Sequence, residues 1–184
     1  MKTRLKAQEP AKTGKRTIDI QLLELYSACE KNADELLKES RLLITHGHHA
    51  RAYFLAYTAM EELGKSQVVA DFFNDLVAES EFKAAFRDHK FKAAYVNRYV
   101  QIPKNWEDDV WFIIYDTKSS KDDILAREKS LYVESLSHHS PQVPKEAISP
   151  ESAEQLLSTA EKYLSEIRKM EYITERIGTK AFTK

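Results

Sequence analysis

The chain has little cysteine, glycine or proline, and each shortage narrows what it can be. Its only cysteine, Cys29, excludes an internal disulfide bond and a cysteine-rich zinc module. A single thiol also fits a reducing compartment. Four glycines and five prolines leave long stretches that no helix breaker interrupts. These shortages favour a helical protein that relies on a packed core of side chains and not on covalent cross-links.

The sequence also lacks a charge of one dominant sign and a long apolar run. Its formal net charge is −1, so no overall field would draw the protein to nucleic acid or to a membrane. No window contains the roughly 18 apolar residues that a membrane span requires. The basic N-terminus is not followed by the apolar run of a secretory signal. We therefore expect a cytoplasmic protein that does not act at a membrane.

Apolar residues recur along most of the chain at the three-to-four spacing of amphipathic helices. The polar residues 1–16 are predicted to form a flexible arm, and residues 17–178 a single domain. The segment "WFIIYDTKSSKDD" fits either a short helix or an extended piece, and a helix start is predicted at Asn105. The pattern predicts an all-α bundle of four to five long helices. The clearest helices are expected at 18–47, 48–78, 80–100 and from the N-cap residue Ser149 onward.

The second predicted helix is apolar on all its faces, yet it contains three charged residues. In "RAYFLAYTAMEELGKS", Lys65 follows Glu61 by one turn and Glu62 by three residues, which is the spacing of helical ion pairs. A helix that is apolar all round is buried in a domain or covered by a second subunit. Because an unpaired buried charge costs several kcal/mol, the sequence predicts a paired, partly buried Glu/Lys cluster. The alternative is an exposed ion pair on a helix surface.

The third predicted helix places a histidine on its apolar stripe. His89 stands where the steps of four and three from Phe82 and Phe86 call for an apolar residue. It is either a structural hydrogen-bonding residue or part of a functional cluster. We expect His89 to lie close to Glu62 and Lys65, and nearer to Lys65. The opposite face carries a basic ridge that is either solvated or binds phosphate, formed by Lys83, Arg87, Lys90, Lys92 and Arg98.

Three segments in order, "ARAYFLAYTAMEELGKS", "FRDHKFK" and "REKSLYVES", resemble the AbiV family of abortive-infection proteins in the HEPN superfamily. The resemblance covers roughly residues 18–175. It implies a HEPN-like helical bundle, commonly a homodimer with polar residues in the cleft between protomers. It also implies anti-phage defence by a block of macromolecular synthesis, at RNA or translation. The polar positions that the resemblance carries over are Glu61, Glu62, Lys65, His89 and Lys90, with Arg127, Lys129 and Tyr132 second.

Many HEPN proteins are metal-independent ribonucleases with an arginine and a histidine, four to six residues apart, near the start of a late core helix. In this chain Arg41 has that spacing to His46 and His48, but early in the sequence, and we interpret the match as a coincidence. Two functions therefore stay open. One is a metal-independent endoribonuclease without a cofactor. The other is a non-enzymatic helical dimer that binds a phage protein or a translation-associated protein, with the polar cluster as an internal staple.

If the protein cleaves RNA, the expected reaction is attack of a 2′-hydroxyl on its own phosphate. His89 would be the general acid/base, since unperturbed imidazole changes charge near neutral pH. Lys65, with Lys90 or Arg127, would neutralise the charge that develops on the phosphate. Glu62 would orient Lys65 or His89.

The histidine-rich turn "HGHH" is the remaining candidate for a metal site. Imidazole suits zinc, copper and nickel, and His46, His48 and His49 lie within four residues. Three histidines around one helical turn seldom close a site without a carboxylate from another part of the chain. We favour a solvated turn between helices and predict no metal ligands.

Overall fold

The computed structural model describes residues 20–73, 77–96, 99–101, 112–114, 119–133 and 141–173. The predicted arm, the predicted helix start at Asn105 and the predicted domain end at residue 178 lie outside them. The described elements are α1 (Ile20–Thr45), α2 (His49–Phe73), α3 (Glu79–Ala85), α4 (His89–Val96), β1 (Tyr99–Gln101), β2 (Phe112–Ile114), α5 (Ser119–Leu131), α6 (Pro144–Ala147) and α7 (Pro150–Ile173).

The fold is an all-α bundle around α2, as the sequence predicts. In α2, 16 of 25 residues are buried, whereas α1 buries five of 26. Ala56 and Ala59 of α2 are fully buried, and small side chains at these positions let neighbouring helices approach closely. The main core lies between α1, α2 and α7, where Tyr26, Leu63 and Leu164 belong to one apolar cluster. This burial is consistent with the expectation that the second helix is the most deeply buried one.

Local signals define the ends of the long helices. Gly47 has a φ of 75°, a conformation that glycine adopts without steric cost. The backbone N–H groups of Gly47 and His48 donate to the carbonyls of Ile44 and Leu43, which closes α1 before α2 begins. At the start of α7, the Ser149 hydroxyl accepts a hydrogen bond of 3.1 Å from the Ser152 N–H. The predicted N-cap at Ser149 is therefore confirmed.

The predicted third helix is wrong in its continuity. A turn at residues 86–88 divides it into α3 and α4, and β1 begins at Tyr99. The N–H groups of Arg87 and Asp88 both donate to the carbonyl of Ala84, and α4 restarts with the Lys92 N–H bonded to the Asp88 carbonyl. Packing explains the break, since Phe82 stacks on Phe72 of α2 with ring centroids 4.4 Å apart. On either side of the turn, α3 and α4 both contact α2.

The ambiguous segment before α5 contains both of the structures that the sequence allowed. Phe112–Ile114 pairs antiparallel with Tyr99–Gln101, with Val100 opposite Ile113. The polar residues that follow begin α5 at Ser119. Two strands of three residues each do not change the all-α class.

Candidate functional site

Glu61 is the buried centre of a charged cluster between α2, α4 and α5. It lies in the middle of α2 and is only 3% exposed. The His89 Nδ1 atom, at the first position of α4, lies 3.0 Å from Oε1 and 3.2 Å from Oε2 of Glu61. Because a carboxylate only accepts hydrogen bonds, Nδ1 of His89 is the protonated ring nitrogen in this contact. The contact links α4 to α2 through a hydrogen bond to a carboxylate.

Two further cations approach the same carboxylate. The Lys92 Nζ atom lies 3.8 Å from Oε2 of Glu61, and the Arg127 Nε atom lies 3.9 Å from Oε1. Both side chains are largely buried, at 8% and 18% exposure. Lys92 follows His89 by three residues, so both side chains lie on one face of α4. Arg127 comes from α5, and the carboxylate therefore draws three helices together.

Aromatic rings of α2 support the arginine. The guanidinium carbon of Arg127 lies 5.1 Å from the ring centroid of Phe54 and 5.9 Å from that of Tyr57. Cation–π contacts of this kind are favourable when the cation is removed from water. Within the described part of the chain, the buried Nε atom of Arg127 has no hydrogen-bond partner. The guanidinium thus retains an unused donor beside Glu61.

Among the described residues, the ion pairs of the cluster join one carboxylate, that of Glu61, to more than one basic side chain. These basic side chains are Lys92, Arg127 and His89, of which His89 is charged only when both ring nitrogens carry a proton. Burying unpaired charge is costly, so a surplus of positive charge is an unusual arrangement for a purely structural cluster. A local excess of cations attracts an anion such as a phosphate group. This surplus exists although the whole chain carries a formal charge of −1.

His89 connects the buried carboxylate to the surface. About half of its side chain is exposed, at 51%, whereas the Glu61 side chain is 4% exposed. With Nδ1 donating to Glu61, neutral His89 has its lone pair on Nε2, and Nε2 has no partner among the described residues. A carboxylate that holds an imidazole in one tautomer is the arrangement used in acid–base catalysis. The geometry can therefore take a proton from, or give one to, a group at the surface.

Glu62 and Lys65 form a separate pair. The Lys65 ammonium donates to the Glu62 carboxylate, with side chains 16% and 14% exposed. The ammonium also lies 5.9 Å from the ring centroid of Phe86. The predicted partly buried Glu/Lys pair is present, but the predicted contact of His89 with Lys65 is wrong, because His89 bonds to Glu61 instead. Glu61 and Glu62 differ by about 100° around the helix axis. Glu61, and not Glu62, is the glutamate that faces α4.

Cys29 of α1 lies against this second pair. The thiol is buried, and its side chain hydrogen-bonds to Glu62. Burial, together with the negative charge of Glu62, raises the pKa of Cys29 from 9.0 to about 12, and the positive charge of Lys65 opposes that rise. The thiol therefore stays protonated and unreactive at neutral pH.

The other residues singled out by resemblance are scattered. Arg127 joins the Glu61 cluster, as described, and Lys129 is half-buried with contacts of its own. Tyr132 is exposed at 65%. The side chain of Lys90 lies outside the described residues. The structure adds Lys92, which the sequence placed only in a basic ridge; its position three residues after His89 was the available signal.

Arg41 does not form a site with the histidines of the first turn. Its guanidinium donates to the Glu161 carboxylate of α7, whereas the Nδ1 atom of His46 lies 2.8 Å from the Leu42 carbonyl oxygen. Among the described residues, no group of three or more histidine, cysteine or acidic side chains is arranged to hold a metal ion. Arg41 and His46 have the spacing of the HEPN motif, but their side chains bond to different residues.

The fold and the cluster together define a class: an all-α bundle whose central helix carries a buried charged site shared with two other helices. The sequence model of the AbiV family of HEPN proteins matches residues 21–165, from the start of α1 into α7. The chain belongs to the AbiV family. No curated protein and no solved structure matches it. Within the described ranges, every helix is too short or too polar to cross a membrane.

Proposed function

We propose that this AbiV-family protein defends cells against phage by cleaving RNA in the cytoplasm, with His89 as the general acid/base. Membership of the family supports the role in abortive infection. The observation that carries the catalytic part is the bond from the half-exposed His89 imidazole to the buried Glu61 carboxylate. It fixes the tautomer in which Nε2 accepts a proton.

The proposed reaction needs only groups of this chain and of the RNA. Nε2 of His89 takes the proton of a ribose 2′-hydroxyl while that oxygen forms a bond to the adjacent phosphorus. The bond from phosphorus to the 5′-oxygen breaks, and the leaving oxygen takes a proton from a water molecule. The hydroxide that results takes the proton from Nε2 of His89 and becomes water again. The products are a 2′,3′-cyclic phosphate and a 5′-hydroxyl. The positive charges of Lys92 and Arg127 favour the negative charge that grows on the phosphate.

Within this proposal, Glu61 is a positioning residue and takes over the role that the sequence suggested for Glu62. It holds the His89 ring and stabilises the imidazolium that forms when Nε2 is protonated. Lys92 and Arg127 take over the charge-neutralising role first assigned to Lys65. The Glu62–Lys65 pair, bonded to itself and packed on Phe86, is assigned to stability.

An RNA degradation assay in EDTA tests the proposal. Total RNA is incubated with the wild type, His89→Asn, Glu61→Gln and the control Lys83→Ala, whose exposed side chain pairs with Glu79 on α3. We expect His89→Asn to lose cleavage and Lys83→Ala to retain it. Because removing a general base costs about 10²–10⁴-fold in rate, a loss below tenfold in a folded His89→Asn protein would contradict the proposal. So would an inactive wild type.

A non-enzymatic function has its own support. Leu125, Tyr132 and Val133, on and just after α5, are exposed at 47%, 65% and 59%. Exposed apolar patches are typical of protein interfaces. In this second candidate the protein is a homodimer that binds a phage or translation-associated protein, and the Glu61 cluster is an internal staple. Phage protection that survives in folded His89→Asn would favour it over RNA cleavage.

The proposed homodimer is tested separately, by light scattering of the purified protein at micromolar concentration. We expect the mass of two chains for the wild type and a shift toward one chain for Tyr132→Ser combined with Val133→Ser. A wild type that scatters as one chain would overturn the dimer. It would leave the RNA assay as the test of cleavage.

A further inference from the structure

The outer nitrogen of the His89 ring is available for more than proton transfer. Nδ1 donates to the Glu61 carboxylate over 3.0 Å, which leaves the lone pair of the neutral ring on Nε2. About half of the His89 side chain is exposed, and Nε2 has no partner among the described residues. An imidazole lone pair is also a nucleophile that can form a covalent bond. His89 is therefore a candidate for modification at Nε2.

The Glu61 carboxylate prepares the ring for such a bond. Bond formation at Nε2 gives the ring a positive charge, and a carboxylate that accepts from Nδ1 stabilises that charge. Because the Glu61 side chain is almost fully buried, water and salt screen its charge little. The same hydrogen bond holds the ring in one orientation, so Nε2 does not exchange places with Nδ1. Glu61 thus supplies both the charge and the position that a nucleophilic histidine needs.

The charges around the ring favour a negatively charged group on Nε2. Lys92 Nζ and Arg127 Nε lie 3.8 and 3.9 Å from oxygens of the Glu61 carboxylate. The buried Arg127 Nε has no hydrogen-bond partner among the described residues. Nearby cations stabilise the charge on the oxygens of a phosphoryl group during its transfer. Asp88 opposes them, but its side chain is exposed and therefore screened. A phosphoryl group, with about two negative charges, suits these surroundings better than a neutral group.

We infer that Nε2 of His89 is a phosphorylation site that takes its phosphoryl group from a donor of the phosphoramidate class. The lone pair of Nε2 forms a bond to phosphorus while the phosphorus–nitrogen bond of the donor breaks. The donor enters with its nitrogen protonated, and that nitrogen leaves with the bonding pair as ammonia. The ring keeps its Nδ1 proton and becomes positively charged beside Glu61. One phosphorus–nitrogen bond replaces another, so the step needs no further reactant.

His46 is a matched control within the same chain. Its Nδ1 atom lies 2.8 Å from the Leu42 carbonyl oxygen, so Nε2 of its neutral ring likewise keeps the lone pair. The His46 side chain is also exposed. Its Nδ1 atom faces an uncharged carbonyl, however, where that of His89 faces a carboxylate. The difference in phosphorylation rate between the two histidines therefore reports the contribution of the Glu61 cluster.

Incubation of the full chain with phosphoramidate at neutral pH tests the inference. Mass spectrometry of peptides, kept at alkaline pH to preserve the phosphorus–nitrogen bond, assigns the label among the six histidines. Phosphorus nuclear magnetic resonance identifies the modified ring nitrogen. We expect His89 to be labelled at Nε2 about ten times faster than His46, the gain of a charge-assisted over a neutral hydrogen bond. A rate at His89 no greater than that at His46, or label on Nδ1 of His89, would overturn the inference.

Two variants separate the charge of Glu61 from its hydrogen bond. Glu61→Gln keeps an acceptor for Nδ1 but removes the charge, so labelling of His89 should fall to about the rate of His46. Glu166→Gln, which removes an exposed carboxylate of α7, should be labelled as the wild type is. Circular dichroism shows whether each variant is folded. Unchanged labelling of His89 in folded Glu61→Gln would contradict the inference, and if that variant does not fold, the comparison of His89 with His46 in the wild type decides.

The consequence for RNA cleavage rests on the proposed function. A phosphoryl group on Nε2 of His89 occupies the lone pair that takes the proton of the 2′-hydroxyl. Cleavage should therefore fall in proportion to the labelled fraction and return as the phosphorus–nitrogen bond hydrolyses. The labelling itself is measured without RNA. An inactive wild type that is labelled at His89 would overturn the cleavage proposal alone, and an active wild type without that label would overturn this inference alone.

Discussion

The Nδ1 atom of His89 lies 3.0 Å from the Oε1 atom of Glu61, although 28 positions separate the two residues in the chain. Nearly all of the Glu61 side chain is buried, and half of the His89 side chain is exposed. Through this hydrogen bond, the buried Glu61 carboxylate acts on an imidazole that is exposed at the protein surface. It also fastens the start of α4 to the middle of α2, so stability and function can be separated only by variants chosen with care.

Replacing Glu61 should strongly destabilise the fold. Glu61→Gln keeps the size of the side chain but leaves Lys92 and Arg127 as buried cations without a counter-charge. Breaking a buried ion pair from one side costs about 3–5 kcal/mol, and we expect a loss near the lower value because the largely buried Arg127 side chain keeps 18% exposure. Urea denaturation followed by circular dichroism measures it. The control Glu166→Gln removes the carboxylate of an exposed pair on α7, and equal loss in both variants would refute the buried-centre interpretation.

Breaking the Glu62–Lys65 pair should also lower the stability of the fold. We expect Lys65→Ala to lower the free energy of unfolding by about 1–3 kcal/mol, less than for Glu61 because both side chains retain some exposure. Lys83→Ala, from an exposed pair with the same kind of helical spacing, should melt with the wild type. If both variants melt with the wild type, Lys65 behaves as a surface residue. If Lys65→Ala stays stable but loses phage protection, its pair belongs to the functional site.

The buried hydrogen bond between Tyr95 and Asp71 should contribute to the stability of the fold and not to RNA cleavage. The Tyr95 hydroxyl of α4 donates to the Asp71 carboxylate of α2, and both residues are buried. Tyr95→Phe leaves that acceptor with one donor fewer, at a cost of about 1–3 kcal/mol. Thermal denaturation should show the loss, with RNA cleavage per folded molecule unchanged. A variant as stable as the wild type would show that the hydroxyl is replaceable by water.

Cys29 should make stability depend on pH in the alkaline range. Its pKa is about 12 in the folded protein against an ordinary 9.0. Below pH 9 the thiol is protonated in both states and imposes no penalty. Between pH 9 and 12 the unfolded chain loses the proton first, so the folded state becomes less stable as pH rises. The slope can reach about 1.4 kcal/mol per pH unit.

The non-titrating variant Cys29→Ser isolates this effect from other alkaline titrations. The stability difference between the wild type and Cys29→Ser, measured by urea denaturation at pH 8, 9 and 10, should change against the wild type above pH 9. A constant difference would show that the thiol ionises equally in both states. Slow reaction of the native thiol with a disulfide reagent at pH 8 is expected for the same reason.

The long helices could be predicted from the sequence because their signals are local. Apolar residues on every face of "RAYFLAYTAMEELGKS" indicated a central helix, and α2 is deeply buried. Ser149 and Pro150 marked the start of α7, and the hydrogen bond at Ser149 confirms it. Gly47 marked the first turn. Spacing along the chain and the chemistry of single residues were sufficient for these features.

The break between α3 and α4 could not be predicted in the same way. Residues 80–100 carry one continuous apolar period, and no proline or glycine interrupts it. The turn at 86–88 depends on how Phe82 stacks on Phe72 and how Tyr95 reaches Asp71. Those contacts join residues from separate helices, and their geometry is not encoded in any short window.

The sequence by itself determined that the charges of the central helix had to be paired, since an unpaired buried charge is too costly to keep. Only the tertiary structure decided the partners. Glu61 and Glu62 are adjacent and chemically identical, but about 100° of helix rotation turns one toward α4 and α5 and the other toward Cys29. Which helix covers which face depends on the packing of the whole bundle. That packing places His89 against Glu61 and pairs Lys65 with Glu62.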